Sequence, residues 1–341
     1  MSHNQRTVIH ISPRFSITRG MKQGSLLSPV LFKIFLDDLL HQLEAVEHGV
    51  RISDLKLNCC TYADDITVFA STITGLQTLM DTCIWYADMW RMKFSKTKSK
   101  CMVMGKAITK YTPTWHLYDQ EMQPSDEVEI LGVTMSSKST STSHVDKRTS
   151  LCRRNIFRLS PSGMCYPRLE TDAKAHIWNT IGAPTIQYGM ECVDLSRKNK
   201  QHLSTVQTNI IKNVMRLSKR SHHTHLLQAL HIPSFDQYLD LSIRRLYNRL
   251  MVTDTPAGAL QTRLLARYTS TGHVIKHTLL ARLLSRLHDP YLLIHHPGPR
   301  CETSLGSNGI TDSLRYLVTH HNYIKPWSYE FLQVRLLLAA F

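Results

Sequence analysis

Leu57-Asn58-Cys59-Cys60-Thr61-Tyr62-Ala63-Asp64-Asp65-Ile66-Thr67-Val68-Phe69 places two adjacent carboxylates between two runs of apolar and β-forming residues. Side chains alternate across a strand, so neighbouring acids reach one site only where the chain turns, as at a hairpin tip. The stretch predicts a hairpin over 57–69 with Asp64 and Asp65 at its tip as candidate metal ligands. Aspartate is also a favoured residue of ordinary turns, so the pair by itself also describes a polar loop. Its surroundings have to decide.

Upstream, Ser28-Pro29 followed by Val30-Leu31-Phe32 predicts a helix with Ser28 as N-cap and Pro29 at the first helical position, running to about Val46. Downstream, Leu76, Leu79, Met80, Cys83, Ile84, Ala87 and Trp90 keep three-and-four spacing and predict a helix over 74–90. A strand over 101–104, bounded by Gly105, and a hairpin over 128–135 follow. This order predicts an α+β unit in which helices cover one face of an antiparallel sheet. Trp85, Trp90 and Trp178 are expected in the core. A serine- and threonine-rich linker spans 136–143, and then the pattern turns helical: 144–159, 172–181, 198–217, 224–230 and 234–251, broken at Pro161, Pro184 and Pro233. A second boundary falls near 253–258. More basic helix is expected to 287, then an irregular His-, Pro- and Gly-rich stretch over 295–309 and a final helix after Trp327. The expected domains are 1–135, 136–252 and 253–341.

The 341 residues are 42% hydrophobic and carry 41 Lys and Arg against 26 Asp and Glu, a formal charge of +15 that suits a polyanionic partner. Two acid-free blocks concentrate the charge: Arg91, Lys93, Lys96, Lys98, Lys100, Lys106 and Lys110 in one, Arg197, Lys198, Lys200, Lys212, Arg216, Lys219 and Arg220 in the other. Each is a candidate phosphate-backbone contact or a solvated face. Eight cysteines without paired spacing point to a reducing compartment, mostly buried thiols and no zinc finger. No apolar run is long enough to span a bilayer and the N-terminus lacks a signal-peptide core, so neither secretion nor membrane insertion is expected. His222-His223-Thr224-His225 and the adjacent Asp37 and Asp38 are read as solvated surface rather than as metal sites.

The second informative motif is Arg19-Gly20-Met21-Lys22-Gln23-Gly24-Ser25-Leu26-Leu27-Ser28-Pro29, where two glycines flank polar side chains just before a helix, as suits a backbone that approaches a ligand. This loop and helix, the Tyr-x-Asp-Asp hairpin, the basic segment from Met92 to Lys100 and the Ile130-Leu131-Gly132 hairpin stand in the order and rough spacing of a reverse transcriptase palm. The set most resembles that of LINE-type (non-LTR) retrotransposons. His144-Val145-Asp146-Lys147-Arg148 and Ala183-Pro184-Thr185-Ile186-Gln187-Tyr188-Gly189-Met190-Glu191 are similar to that group's thumb and post-thumb helices. The resemblance runs from about Ser16 to Met251; the last ninety or so residues resemble nothing assignable.

The resemblance implies a partial palm followed by an all-α thumb and a helical C-terminal region. It implies an RNA template, a DNA primer, a deoxynucleotide and a two-ion Mg²⁺ site held in part by Asp64 and Asp65. Tyr62 would lie against the primer end, Leu131 and Gly132 would grip the primer, and Arg19, Gln23 and Gly24 would border the incoming nucleotide and template. Lys98 best fits the lysine that meets the leaving pyrophosphate, with Lys96 and Lys100 as alternative alignments. The family also carries a third aspartate on a strand several dozen residues before the Gln-Gly loop, and 1–18 contains no acid. Ser25-Leu26-Leu27 and Ser95 also depart from the usual pattern. The expectation is therefore a polymerase-derived chain of little activity alone, with an uncovered sheet edge that a partner chain supplying the missing palm and fingers would cover. The alternatives are a non-catalytic nucleic-acid-binding protein and a decayed fragment without selected function.

Overall fold

The computed structural model describes residues 24–52, 55–104, 112–252, 255–271, 278–284 and 331–339. Helix α1 (Ser28–Ala45) buries Leu36, Leu39 and Leu43, one side of a helix at three- and four-residue spacing. Its N-cap is Leu27 rather than the expected Ser28, which already lies in the first turn; the nearby serine bond is Leu27 N–H to Ser25 Oγ, 3.4 Å. After a short hairpin of β1 (Val50–Ile52) and β2 (Leu55–Leu57), the expected acidic hairpin forms from β3 (Cys59–Tyr62) and β4 (Asp65–Ala70).

Helix α2 (Ile73–Met89) starts at Thr72, whose hydroxyl accepts from Gly75 N–H at 3.0 Å, a conventional cap. It buries Leu76, Leu79, Met80, Cys83, Tyr86 and Ala87. The tryptophans expected beside them are not core: Trp85 is 55% exposed and Trp90 49%. Trp85 falls one position off the buried stripe. Trp90 caps the helix end and packs edge-on against Phe35, ring centroids 5.0 Å apart. Trp178 is buried as expected.

Strands β5 (Lys93–Phe94) and β6 (Lys100–Met104) follow, then a hairpin of β7 (Trp115–Leu117) and β8 (Gln120–Met122) and another of β9 (Glu127–Ile130) and β10 (Val133–Ser136). All the described strand ladders are antiparallel. Ile66, Val68 and Ala70 of β4, Cys101 of β6, Trp115 and Leu117 join the buried stripes of α1 and α2 in one apolar cluster. Mixed helix and small antiparallel sheets agree with the α+β expectation.

The sheet differs from expectation at its centre. The final helix expected after Trp327 is replaced by β11 (Phe331–Ala339), which pairs with β4 on one side and with β5 and β6 on the other, giving the order β3-β4-β11-β5 with β6 also on β11. Alternating Leu332, Val334 and Leu336 with Gln333 and Arg335 between them is a two-residue period, and two open backbone edges offer partners to the N–H and C=O groups of such a strand. The edge of β4 away from β3 is thus paired within the chain.

The remaining helices are α3 (Thr142–Phe157), α4 (Thr171–Ile177), α5 (Ala183–Gln187), α6 (Arg197–Val214), α7 (His223–Ala229), α8 (Phe235–Val252), α9 (Pro256–Thr271) and α10 (Leu279–Leu284). Pro184 does not end the helix there. Trp178–Gly182 forms a π-helical turn between α4 and α5, a wider spacing that absorbs the hydrogen bond and the room a proline removes. These helices share a second apolar cluster that includes Val145, Trp178, Ile210, Ile243, Leu265 and Leu280, so it continues across the expected boundary at 253. Among the described residues, no helix is long and apolar enough to cross a membrane. Of the described cysteines, which are all free, Cys83, Cys101 and Cys152 are buried while Cys60 and Cys192 are exposed.

Two polar side chains tie elements together. Asn58, buried at the foot of the acidic hairpin, donates its amide to the carbonyls of Leu43 (2.6 Å) and Val46 (2.5 Å), answering the end of α1. Asn58→Ala removes both bonds, leaving Leu43 O with the Val46 N–H (3.3 Å) and Val46 O with the Lys56 ammonium (3.2 Å), and is expected to cost about 1–3 kcal/mol in urea unfolding for the two bonds lost; an unchanged midpoint counts against the role. His144, fully buried on α3, accepts from Thr134 N–H at Nδ1 (3.2 Å), which leaves the proton on Nε2 to be donated to the Tyr188 carbonyl (3.0 Å). Burial, aided by Arg148 and Lys147 and opposed by the Tyr188 carbonyl and Glu129, lowers its pKa below the ordinary 6.5. A lowered histidine is neutral in the fold, so its contribution to stability is complete above that ordinary value and declines as the pH falls below it. The urea midpoint is therefore expected to drop between pH 7.5 and pH 5.5, and the drop to shrink in His144→Gln.

Candidate functional site

The hairpin tip is a two-residue turn. Tyr62 and Asp65 are cross-strand partners, and Ala63 and Asp64 lie between them. Ala63 holds φ +52°, which costs an L-residue roughly 1–2 kcal/mol and is kept where the surroundings impose it. Asp64 is exposed in the turn and Asp65 half-buried at the start of β4. Because Ile66, Val68 and Ala70 face the helices, Asp65 belongs to the alternate set, on the sheet face away from α2. Tyr62 is 66% exposed. The adjacent acids thus sit on an accessible turn at one end of the sheet.

Strand register brings the basic segment to the same end. Asp65 is level with Leu337 of β11, Phe94 lies opposite Leu338, and Lys100 lies opposite Arg335. The turn over 95–99, closed by Ser99 N–H to Ser95 O at 2.9 Å, leaves the sheet between those two levels. Two strand spacings put its base roughly 10 Å from Asp65. Lys96 is committed to Asp119 and lies 5.8 Å over the Tyr118 ring, whereas Lys98 is exposed.

Carboxylates are the right donors for a hard divalent cation. Two adjacent acids supply few of the oxygens such an ion takes, and no group of three or more His, Cys, Asp or Glu converges among the described residues. The described residues do not complete a divalent site. Of the glycine loop, Arg19 and Gln23 lie outside the described residues. Gly24 has φ +82° with open space around its Cα, so it is the backbone conformation that calls for glycine there.

The Leu131–Gly132 turn stands apart from the acids, on the hairpin β9–β10. Both residues have positive φ, +48° and +79°, the type I′ geometry that suits two-residue hairpins. The hairpin follows β6 closely through Ser125 N–H to Cys101 O at 2.8 Å. From the other side, the Tyr188 hydroxyl donates to the Leu131 carbonyl at 2.6 Å. Arg148 lies 4.6 Å from the Tyr188 ring centre and donates its Nε to Thr185 O at 2.8 Å. Sequence reasoning noted the stretches that contain Tyr188 and Arg148 but gave neither a task, since only the fold brings them to a turn more than fifty residues upstream of Tyr188.

Of the second basic block, Arg197, Lys198, Arg216, Lys219 and Arg220 are exposed. Lys212 is not available, because it is buried and donates to Lys219 O at 3.0 Å. Sequence reasoning missed a third basic surface: Arg153 and Arg154 on α3 and Arg158 at its C-cap are exposed, whereas the neighbouring Lys147 is paired with Glu129. Counting charge helix by helix would have found it.

Residues 8–135 match the family model described as reverse transcriptase (RNA-dependent DNA polymerase). The chain is 24% identical over 208 residues to the RNA-directed DNA polymerase from mobile element jockey of Drosophila melanogaster, covering 59% of this chain and 22% of that protein. It is 36% identical over 94 residues to the Pol polyprotein from type-2 retrotransposable element R2DM of the same organism, 28% of this chain and 9% of that protein. A probable RNA-directed DNA polymerase from transposon BS, also of Drosophila melanogaster, is 22% identical over 261 residues, 72% of this chain and 28% of that protein. The chain thus spans about a third or less of the length of these relatives. The paired-aspartate hairpin lies inside the matched region, and the chain is similar to the RNA-directed DNA polymerases of LINE-type (non-LTR) retrotransposons.

Proposed function

We propose that this chain is the nucleic-acid-handling part of an RNA-directed DNA polymerase: a partial palm up to about residue 135, then a thumb of helices, that binds a primed RNA template and adds little chemistry alone. The reaction of such an enzyme joins a primer 3′-oxygen to the α-phosphorus of a deoxynucleotide and expels pyrophosphate. In this reading Asp64 and Asp65 contribute carboxylate oxygens toward Mg²⁺, Tyr62 lies beside the primer end, Lys98 meets the departing pyrophosphate, and Arg19, Gln23 and Gly24 border nucleotide and template. Leu131 and Gly132 hold the primer strand.

The observation that carries the proposal is the paired-acid turn inside the family-matched region, with the exposed Lys98 segment leaving the same end of the sheet. Weak catalysis is supported by the strand beside Asp65. The position across from it is Leu337, and Phe331–Ala339 contains no acid, so the neighbouring strand adds no third carboxylate. A partner chain that brings an acid-bearing strand to this place would have to displace β11. The exposed cations of α3 and α6 support binding in its own right, the reading in which the chain binds nucleic acid and does no chemistry.

Filter binding of the purified chain to a primed RNA is expected to weaken by orders of magnitude between about 50 and 200 mM salt, as counterion release requires when several phosphates are contacted. Flat, negligible binding sinks the proposal. In the same preparation, Mg²⁺-dependent primer extension is expected near background. Robust extension that disappears in Asp64→Ala overturns the claim of weak chemistry and restores a working polymerase.

A further inference from the structure

We propose that Tyr188 is a positioning residue for the Leu131–Gly132 turn, holding its tip in the one conformation that engages the recessed end of a primer strand; this rests on the nucleic-acid reading given above. Leucine is a poor residue for φ +48°, where glycine, asparagine or aspartate sit without strain. A strained apolar residue left 41% exposed at a turn is better explained by what it presents outward than by what it does for the fold.

The support beneath the turn is built in layers. The Tyr188 hydroxyl bonds the Leu131 carbonyl, and its ring runs under the turn, since a Cβ on Gly132 would meet the ring at 3.2 Å. Arg148 stacks on that ring and is itself fixed by Thr185 O. Below, His144 bonds both Thr134 N–H and the Tyr188 carbonyl, so one side chain sets the distance between the hairpin and the residue that pins it. Gly189 allows this approach: it has φ +75°, and a Cβ there would come within 2.6 Å of Val133. Tyr188 is 48% exposed and Leu131 41%, so ring and turn share an accessible surface with the half-buried Arg148 of α3 on the ring.

Tyr188→Phe keeps the ring and removes the hydroxyl. Three measurements on the full chain test the proposal: amide hydrogen exchange at 131–133, the urea midpoint, and binding at fixed salt to an RNA–DNA duplex with a recessed DNA 3′ end or to a blunt duplex of equal length. The expected result is faster exchange at 131–133, a midpoint close to wild type, and recessed-end binding weakened roughly two- to tenfold, the range set by one hydrogen bond. Blunt-duplex affinity and the salt slope should hold. Unchanged exchange shows that the hydroxyl does not hold the turn and overturns the proposal. Faster exchange with wild-type binding to both duplexes, or an equal loss on both, refutes the link to the primer end. Wild-type protein that binds neither duplex removes the nucleic-acid reading itself, and the exchange data then report separately on the turn.

Discussion

Strand β4 is the constraint on which the first half of the molecule rests. Its alternation puts Ile66, Val68 and Ala70 under α2, all fully buried, and a slip of one residue would turn that apolar set to the other face. The register that buries these side chains also sets Asp65 on the opposite face, at the strand end, beside the turn that carries Asp64. Packing and candidate chemistry are therefore fixed together. Asn58 adds to this by binding the hairpin's first strand to the end of α1, so helix and acidic turn are held by one frame.

The second half is organised differently. Its helices share one apolar cluster, against which Val133 of β10 also packs, and polar groups make the link to the hairpin β9–β10 specific: a neutral histidine, a tyrosine hydroxyl and a stacked guanidinium. Apolar contact tolerates sliding, whereas hydrogen bonds to backbone groups fix a distance. A turn joined to two layers by such bonds keeps its shape while the surfaces around it stay open to a ligand. The π-helical turn before Pro184 belongs to this arrangement, because it carries the chain on to Thr185 and Tyr188 without the break a proline usually imposes.

Charge is also more structured than its total implies. Cations that look equivalent along the chain divide into those already engaged within the protein, such as Lys96 on Asp119, Lys147 on Glu129 and Lys212 on Lys219 O, and those left on helix surfaces. The +15 balance favours a polyanion in general. Which cations can meet one depends on packing that no composition reports.

The sequence by itself determined the acidic hairpin, the two flanking helices, the strand at 101–104, the hairpin at 128–135 and the resemblance to reverse transcriptases, because each rests on local period, turn chemistry or motif order. It placed Trp85 and Trp90 wrongly, because one position off a helical stripe or one past its end is enough to expose a ring. Only the tertiary structure decided that residues 331–339 fill the slot between β4 and β6, that Lys98's segment leaves the sheet level with the acids, and that Tyr188 reaches Leu131. The reason is physical: period and capping are properties of neighbours in sequence, whereas strand partners and long hydrogen bonds are selected by which backbone groups and apolar faces remain unsatisfied after local structure has formed.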